Sequence, residues 1–179
     1  NHRSIYSANS SWNNIIAKNQ CLDFKSSGIL LGYGTSDCKV SDNFLKNEGT
    51  VGLSGEASIN VITGCYNNLI KDNYIDAPTN YSIYVATDSS FNIVDGNHCK
   101  NFYVAGVGVE NDWIDTLHTN ALFSRQNYAD PDTVEPTATS WTFNDLEGTV
   151  IQNNVFYHGY TGRSTAAISL AQIENTLAG

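Results

Sequence analysis

The chain has 179 residues, a net charge of −9 and only 15% charged residues against 41% hydrophobic ones, enough length for one sizeable core. An acidic balance without a basic stripe excludes nucleic acid as a partner, because phosphates need Lys and Arg. No apolar run approaches the ~20 residues of a membrane-spanning helix, so no membrane insertion is expected, and nothing reads as a signal peptide.

A six-residue pattern organises the chain. It reads Asn14-Ile15-Ile16-Ala17-Lys18-Asn19 first, then Cys38-Lys39-Val40-Ser41-Asp42-Asn43 and Asn68-Leu69-Ile70-Lys71-Asp72-Asn73. It returns as Asn92-Ile93-Val94-Asp95-Gly96-Asn97 and Thr149-Val150-Ile151-Gln152-Asn153-Asn154. The constant parts are the closing Asn and an aliphatic residue three places before it. The closing residues Asn19, Asn43, Asn73, Asn97 and Asn154 are 24, 30, 24 and 57 residues apart, a unit of 24 with insertions of 6 and 33. Two places after each anchor stand Cys21, Leu45, Ile75, Cys99 and Phe156; ten after the first four stand Ile29, Leu53, Ile83 and Val107. Twelve after come Leu31, Gly55, Val85 and Val109, with Gly55 the one lapse.

Apolar residues within each unit alternate with polar or small ones, the period-two signature of strands. A unit this short cannot bury its own apolar face, whereas stacked copies merge their faces into one interior. The expected fold is all-β: a right-handed parallel β-helix with three short strands per turn of about 24 residues, the turns ~4.8 Å apart. Each anchor Asn is expected to take left-handed backbone geometry at a bend and to bond, through its amide, the Asn one turn away.

In chain order, residues 1–10 finish a turn, with Ile5 standing 24 before Ile29, and residues 11–35 make the first whole one. The second turn begins at residue 36, and its extra residues fall in 55–64, directly after the third strand. The third spans 65–88 and the fourth 89–110. Residues 110–148 form a long loop excursion between turns, carrying Trp113, Tyr128 and Trp141 among many carboxylates. Loops of that length in a compact fold are usually functional or disordered. A last turn covers 150–170 with roughly four extra residues around Tyr157 to Arg163. Residues 1–179 are therefore read as a single β-helix domain, and, because solenoids need capped ends, as a piece of a longer chain. Both insertions are read as leaving the end of the third strand, where stacking would make them wall one groove.

Cys21 and Cys99 fall on the inward position three turns apart, roughly 14 Å, too far to bridge. No Cys-x-x-Cys spacing exists, so the four cysteines read as small buried hydrophobes, compatible with assembly in a reducing cytoplasm. His98, His118 and His158 share no metal-ligand spacing, and no metal is expected.

With its anchor asparagines and the Asn-Ile-Val-x-x-Asn pattern, the chain resembles the right-handed parallel β-helices of the pectate-lyase-like superfamily, in particular the phage tailspike and polysaccharide-depolymerase type. The resemblance covers about residues 4–110 and 149–170. It implies a bacterial surface glycan bound along the helix face, acidic glycosidase or lyase sites without a cofactor, a homotrimer, and a place on the virion tail or, alternatively, secretion. The polygalacturonase motifs Asn-Thr-Asp, Gly-Asp-Asp and Gly-His-Gly do not occur, so no catalytic residue is carried over.

Spacing alone nominates carboxylates. Glu56 and Glu110 stand thirteen after their anchors, two turns or about 9.6 Å apart; Asp88 and Asp112 stand fifteen after theirs, one turn or about 4.8 Å apart. Glycosidases separate their two carboxyls by roughly 5 to 5.5 Å when retaining and roughly 6.5 to 9.5 Å when inverting. Trp113, Tyr128 and Trp141 are candidates to stack on sugar rings, and Arg163 to pair a substrate carboxylate. The expected activity is glycoside hydrolysis before lysis; the alternative is a non-catalytic glycan-binding or structural spike segment.

Overall fold

A computed structural model describes residues 3–47, 57–86, 89–110, 148–157 and 166–171. The described residues form a parallel β-helix. β1 (Arg3–Ser7) ends one rung, and the first full rung is β2 (Ile15–Ala17), β3 (Gln20–Leu22) and β4 (Ser27–Gly32). The second is β5 (Lys39–Ser41), β6 (Phe44–Lys46) and β7 (Ala57–Ile62); the third β8 (Leu69–Lys71), β9 (Tyr74–Asp76) and β10 (Tyr81–Ala86). The fourth is β11 (Ile93–Asp95), β12 (His98–Lys100) and β13 (Ala105–Glu110), and the fifth β14 (Val150–Gln152), β15 (Val155–Tyr157) and β16 (Ala166–Ala171). Strands of successive rungs pair in parallel, giving a long sheet β1-β4-β7-β10-β13-β16 and two five-stranded sheets, β2-β5-β8-β11-β14 and β3-β6-β9-β12-β15. Such crossovers between parallel strands are right-handed because twisted strands close onto their sheets only that way.

Stacking turns residues distant in sequence into vertical neighbours. Ile16, Val40, Ile70 and Val94 line up in one buried column, and Cys21, Leu45, Ile75 and Cys99 in another. The long sheet supplies Ile29, Ile59, Ile83 and Val107, with Leu31, Val61, Val85 and Val109 beside them. Each buried Ile, Leu or Val contributes about 1.5 to 3 kcal/mol through the apolar surface it removes from water. Gly106 belongs to this interior by its lack of a side chain. A Cβ there would run into the Phe156 ring, which meets Phe102 edge-on at 6.3 Å.

Leu53 does not fill the Ile29 column; Ile59 does, and Val61 takes the place expected for Gly55. Counting from the anchor works only while the connection from the second strand to the third keeps its length. That connection is four residues at 23–26, 77–80 and 101–104 but ten at 47–56. The six extra residues therefore precede the third strand instead of following it. The insertion at 111–149 leaves the other corner, after β13, so the two depart from opposite ends of the third strand. The four extra residues at 158–165, between β15 and β16, share the corner of the first.

The anchor asparagines form the expected ladder. Asn19 donates through Nδ2 to Asn43 Oδ1 at 3.0 Å; Asn43 to Asn73, Asn73 to Asn97 and Asn97 to Asn154 follow at 2.9 Å each. Each main-chain N–H converges on the same oxygen as the amide beside it. The second Nδ2 proton goes to a carbonyl, as from Asn73 to Val40 at 3.0 Å, so buried polar groups meet partners on every side. The left-handed residue is not the anchor but its predecessor: Lys18, Asp42, Asp72, Gly96 and Asn153 have φ between 53° and 65°. The predecessor makes the turn, which leaves the anchor free to point inward.

A second ladder stands five residues earlier. Asn68 donates through N and Nδ2 to Asn92 Oδ1, both at 3.0 Å, and Asn68 Oδ1 accepts from Cys38 N at 3.0 Å. Cys38 replaces an Asn in this column. Its Sγ accepts from Asn14 N at 3.4 Å and donates to Ser36 O at 3.1 Å.

Candidate functional site

Of the nominated catalytic residues, only Glu110 falls in a described strand. Its backbone ends β13, beside Ala86 on one side and Ala171 on the other. The residue two rungs below it is Ile62, not Glu56, because Ala86 pairs with Ile62. The shared height assumed for Glu56 and Glu110 came from the same miscount that displaced Leu53. Glu56, Asp88, Asp112, Trp113, Tyr128, Trp141 and Arg163 lie outside the described residues, as does most of the excursion that carries four of them.

The described residues place a different set of groups together. On the outside of the sheet formed by β3, β6, β9, β12 and β15, residues one place after the anchors rise in register as Gln20, Phe44, Tyr74, His98 and Val155. Phe44 and Tyr74 stack with centroids 5.4 Å apart and planes 4° from parallel, and His98 lies over Tyr157 at 6.3 Å. This strip runs along the helix axis over four rungs. Lys100 closes its edge with an ion pair to Asp76 at 3.2 Å.

A second column occupies the corner between the long sheet and the first short one. Trp12, Ser36, Tyr66 and Ser90 make successive parallel bridges outside the named strands. Large and small residues alternate there, and a surface depression of about 320 Å³ opens beside Trp12, Ser36, Asp37 and Tyr66. Asp37 has a φ of 54° and accepts a long bond from Asn67 Nδ2 at 3.4 Å. The sequence held the signal for both columns, since each keeps one phase of the repeat, but an outward phase that apolar periodicity does not mark.

None of the four cysteines is in a disulfide, and all four are buried. Burial pushes Cys65 and Cys99 up to about 12 and raises Cys38 as well, so the reactive thiolate is suppressed. Lys71 is partly exposed, and its ammonium is held above its ordinary value by a 3.0 Å contact to Asp72. Among the described residues no group of three His, Cys, Asp or Glu side chains is placed to hold a metal ion. The chemistry these surfaces offer is stacking and hydrogen bonding to a ligand.

No family model matches the chain, and neither does any curated protein or solved structure.

Proposed function

We propose that this chain is a segment of an extracellular polysaccharide-processing β-helix, a glycoside hydrolase in preference to a lyase, of the phage tailspike depolymerase type. It engages a bacterial surface glycan along its axis, assembles as a homotrimer, and works without a cofactor. The observation that carries the reading is the axial strip of Phe44, Tyr74, His98 and Tyr157. A rigid row of rings with rungs about 4.8 Å apart suits a linear polymer better than a compact metabolite. Cleavage is assigned to carboxylates around Glu110 and Asp112, one as acid with a raised pKa and one as base or nucleophile.

The alternative is a non-catalytic glycan-binding or structural spike segment. It is favoured by the outward column Ile15, Lys39, Leu69, Ile93 and Val150 on the first short sheet, apolar on every rung but that of Lys39 and 38% and 44% exposed at Ile93 and Val150, which suits packing against sister chains. Chain-shortening of neutral and acidic bacterial polysaccharides separates the two readings. The depolymerase reading expects shortening that falls at least a hundredfold in Glu110→Gln or Asp112→Asn. Binding without shortening of any glycan supports the alternative, and unchanged turnover in both variants rejects the assigned carboxylates.

A further inference from the structure

The geometry points to a second ligand site, a slot at the corner column that takes one neutral sugar ring between Trp12 and Tyr66. The inference rests on the glycan reading above but uses residues that reading does not. Trp12 and Tyr66 are two bridges apart, about 9.6 Å at the ~4.8 Å rung spacing. That backbone spacing leaves one rung, that of Ser36, between the two aromatic residues, room for a single ring. Ser36, the rung between them, is 4% exposed and leaves the space open because its side chain is small. Gly34 and Gly64 border the same depression with φ of 75° and 70°, contributing backbone without side-chain bulk.

The polar complement selects among flat ligands. Asp37 sets a carboxylate at the rim, an acceptor for hydroxyl protons that repels anions. The chain's charge of −9 adds to that repulsion and disfavours nucleotides and uronic acids. A neutral pyranose has what the slot asks for: two C–H faces for the aromatic walls and a rim of hydroxyls for Asp37. Trp12 is 66% exposed and so stands ready without any rearrangement of the core.

The test is an amide-resolved NMR titration of the intact protein with the methyl glycosides of glucose, galactose, mannose, N-acetylglucosamine and glucuronic acid. At least one neutral glycoside is expected to shift Gly34, Asp37 and Gly64, with the glucuronide weaker. Trp12→Ala, an exposed change that spares the fold, weakens that binding about tenfold. Tyr66→Ala does the same, and Asp37→Asn removes the bias against the glucuronide. If polysaccharide binds or is shortened equally in wild type and Trp12→Ala, with no glycoside shifting these amides, the slot is wrong and the glycan reading stands. If no glycoside or polysaccharide binds anywhere, both fail.

Discussion

Two corners of the helix obey different rules. At the bend between the first and second strands every rung spends the same two residues, one left-handed and one Asn, and no rung carries an insertion. Between the second and third strands the connection is four, ten or eight residues long. The difference follows from what each corner must satisfy. The first bend is threaded by a ladder in which each amide serves the rungs above and below, so an added residue would unpair both neighbours. Among the described residues the second corner shows no such continuous ladder, and lengthening a surface loop costs only about 0.6 kcal/mol per doubling.

The comparison breaks most sharply at Asn73. Replacing it with Ala strands the main-chain and side-chain N–H groups of Asn43 and the carbonyl of Val40, all buried. The expected loss is about 3 to 5 kcal/mol in urea unfolding. At the permissive corner, the Asn47 side chain donates to Phe24 O at 2.8 Å, and Asn47→Ala is expected to cost about 1 kcal/mol. Equal losses would erase the distinction between the two corners.

Next in size is the response to alkali. Cys65 and Cys99 titrate at about 12 when folded against 9.0 when free, so both states keep the proton below pH 9. Above it the unfolded thiols ionise first, and stability falls until the pH passes the folded values. At pH 10 the two together should remove about 3 kcal/mol relative to pH 8, read as a lower urea midpoint, and Cys99→Ser should shrink that slope by about half. A midpoint flat from pH 8 to 10 would contradict the burial of these thiols.

The smallest effect sharpens the ladder itself. Cys38 stands in the column of Asn14, Asn68 and Asn92, and its sulfur, a weaker acceptor than an amide oxygen, takes the Asn14 N–H at 3.4 Å. Cys38→Asn lets a new amide reach Asn68 Oδ1 and accept from Asn14 N, for an expected gain of about 1 kcal/mol by thermal unfolding. Destabilisation would mean that the column is not a continuous amide ladder.

The same contrast explains what could be read from the sequence. The apolar columns through Ile70 and Ile75 sit within six residues of an anchor and keep its count. Ile59 sits beyond the permissive corner, where the count from the anchor points to Leu53 instead; periodicity carries no information about which side of a strand absorbs extra residues. The second ladder was half hidden because Cys38 and Thr149 interrupt its asparagines, and an amide bonding role cannot be recognised in a thiol by residue type. The nominated site was less legible still. Its residues come from irregular segments, where no repeat fixes height or facing, and the Glu56 and Glu110 pairing inherited the error at Leu53.

The most direct measurement of the stacked register is a methyl NOE spectrum of the folded protein, with Ile, Leu and Val methyls assigned. The architecture predicts contacts running Ile29 to Ile59, Ile59 to Ile83 and Ile83 to Val107, in that order and without skips. Contacts from Ile29 and Ile83 to Leu53 in place of Ile59 would contradict this register; the absence of any contact among these four would contradict the helix.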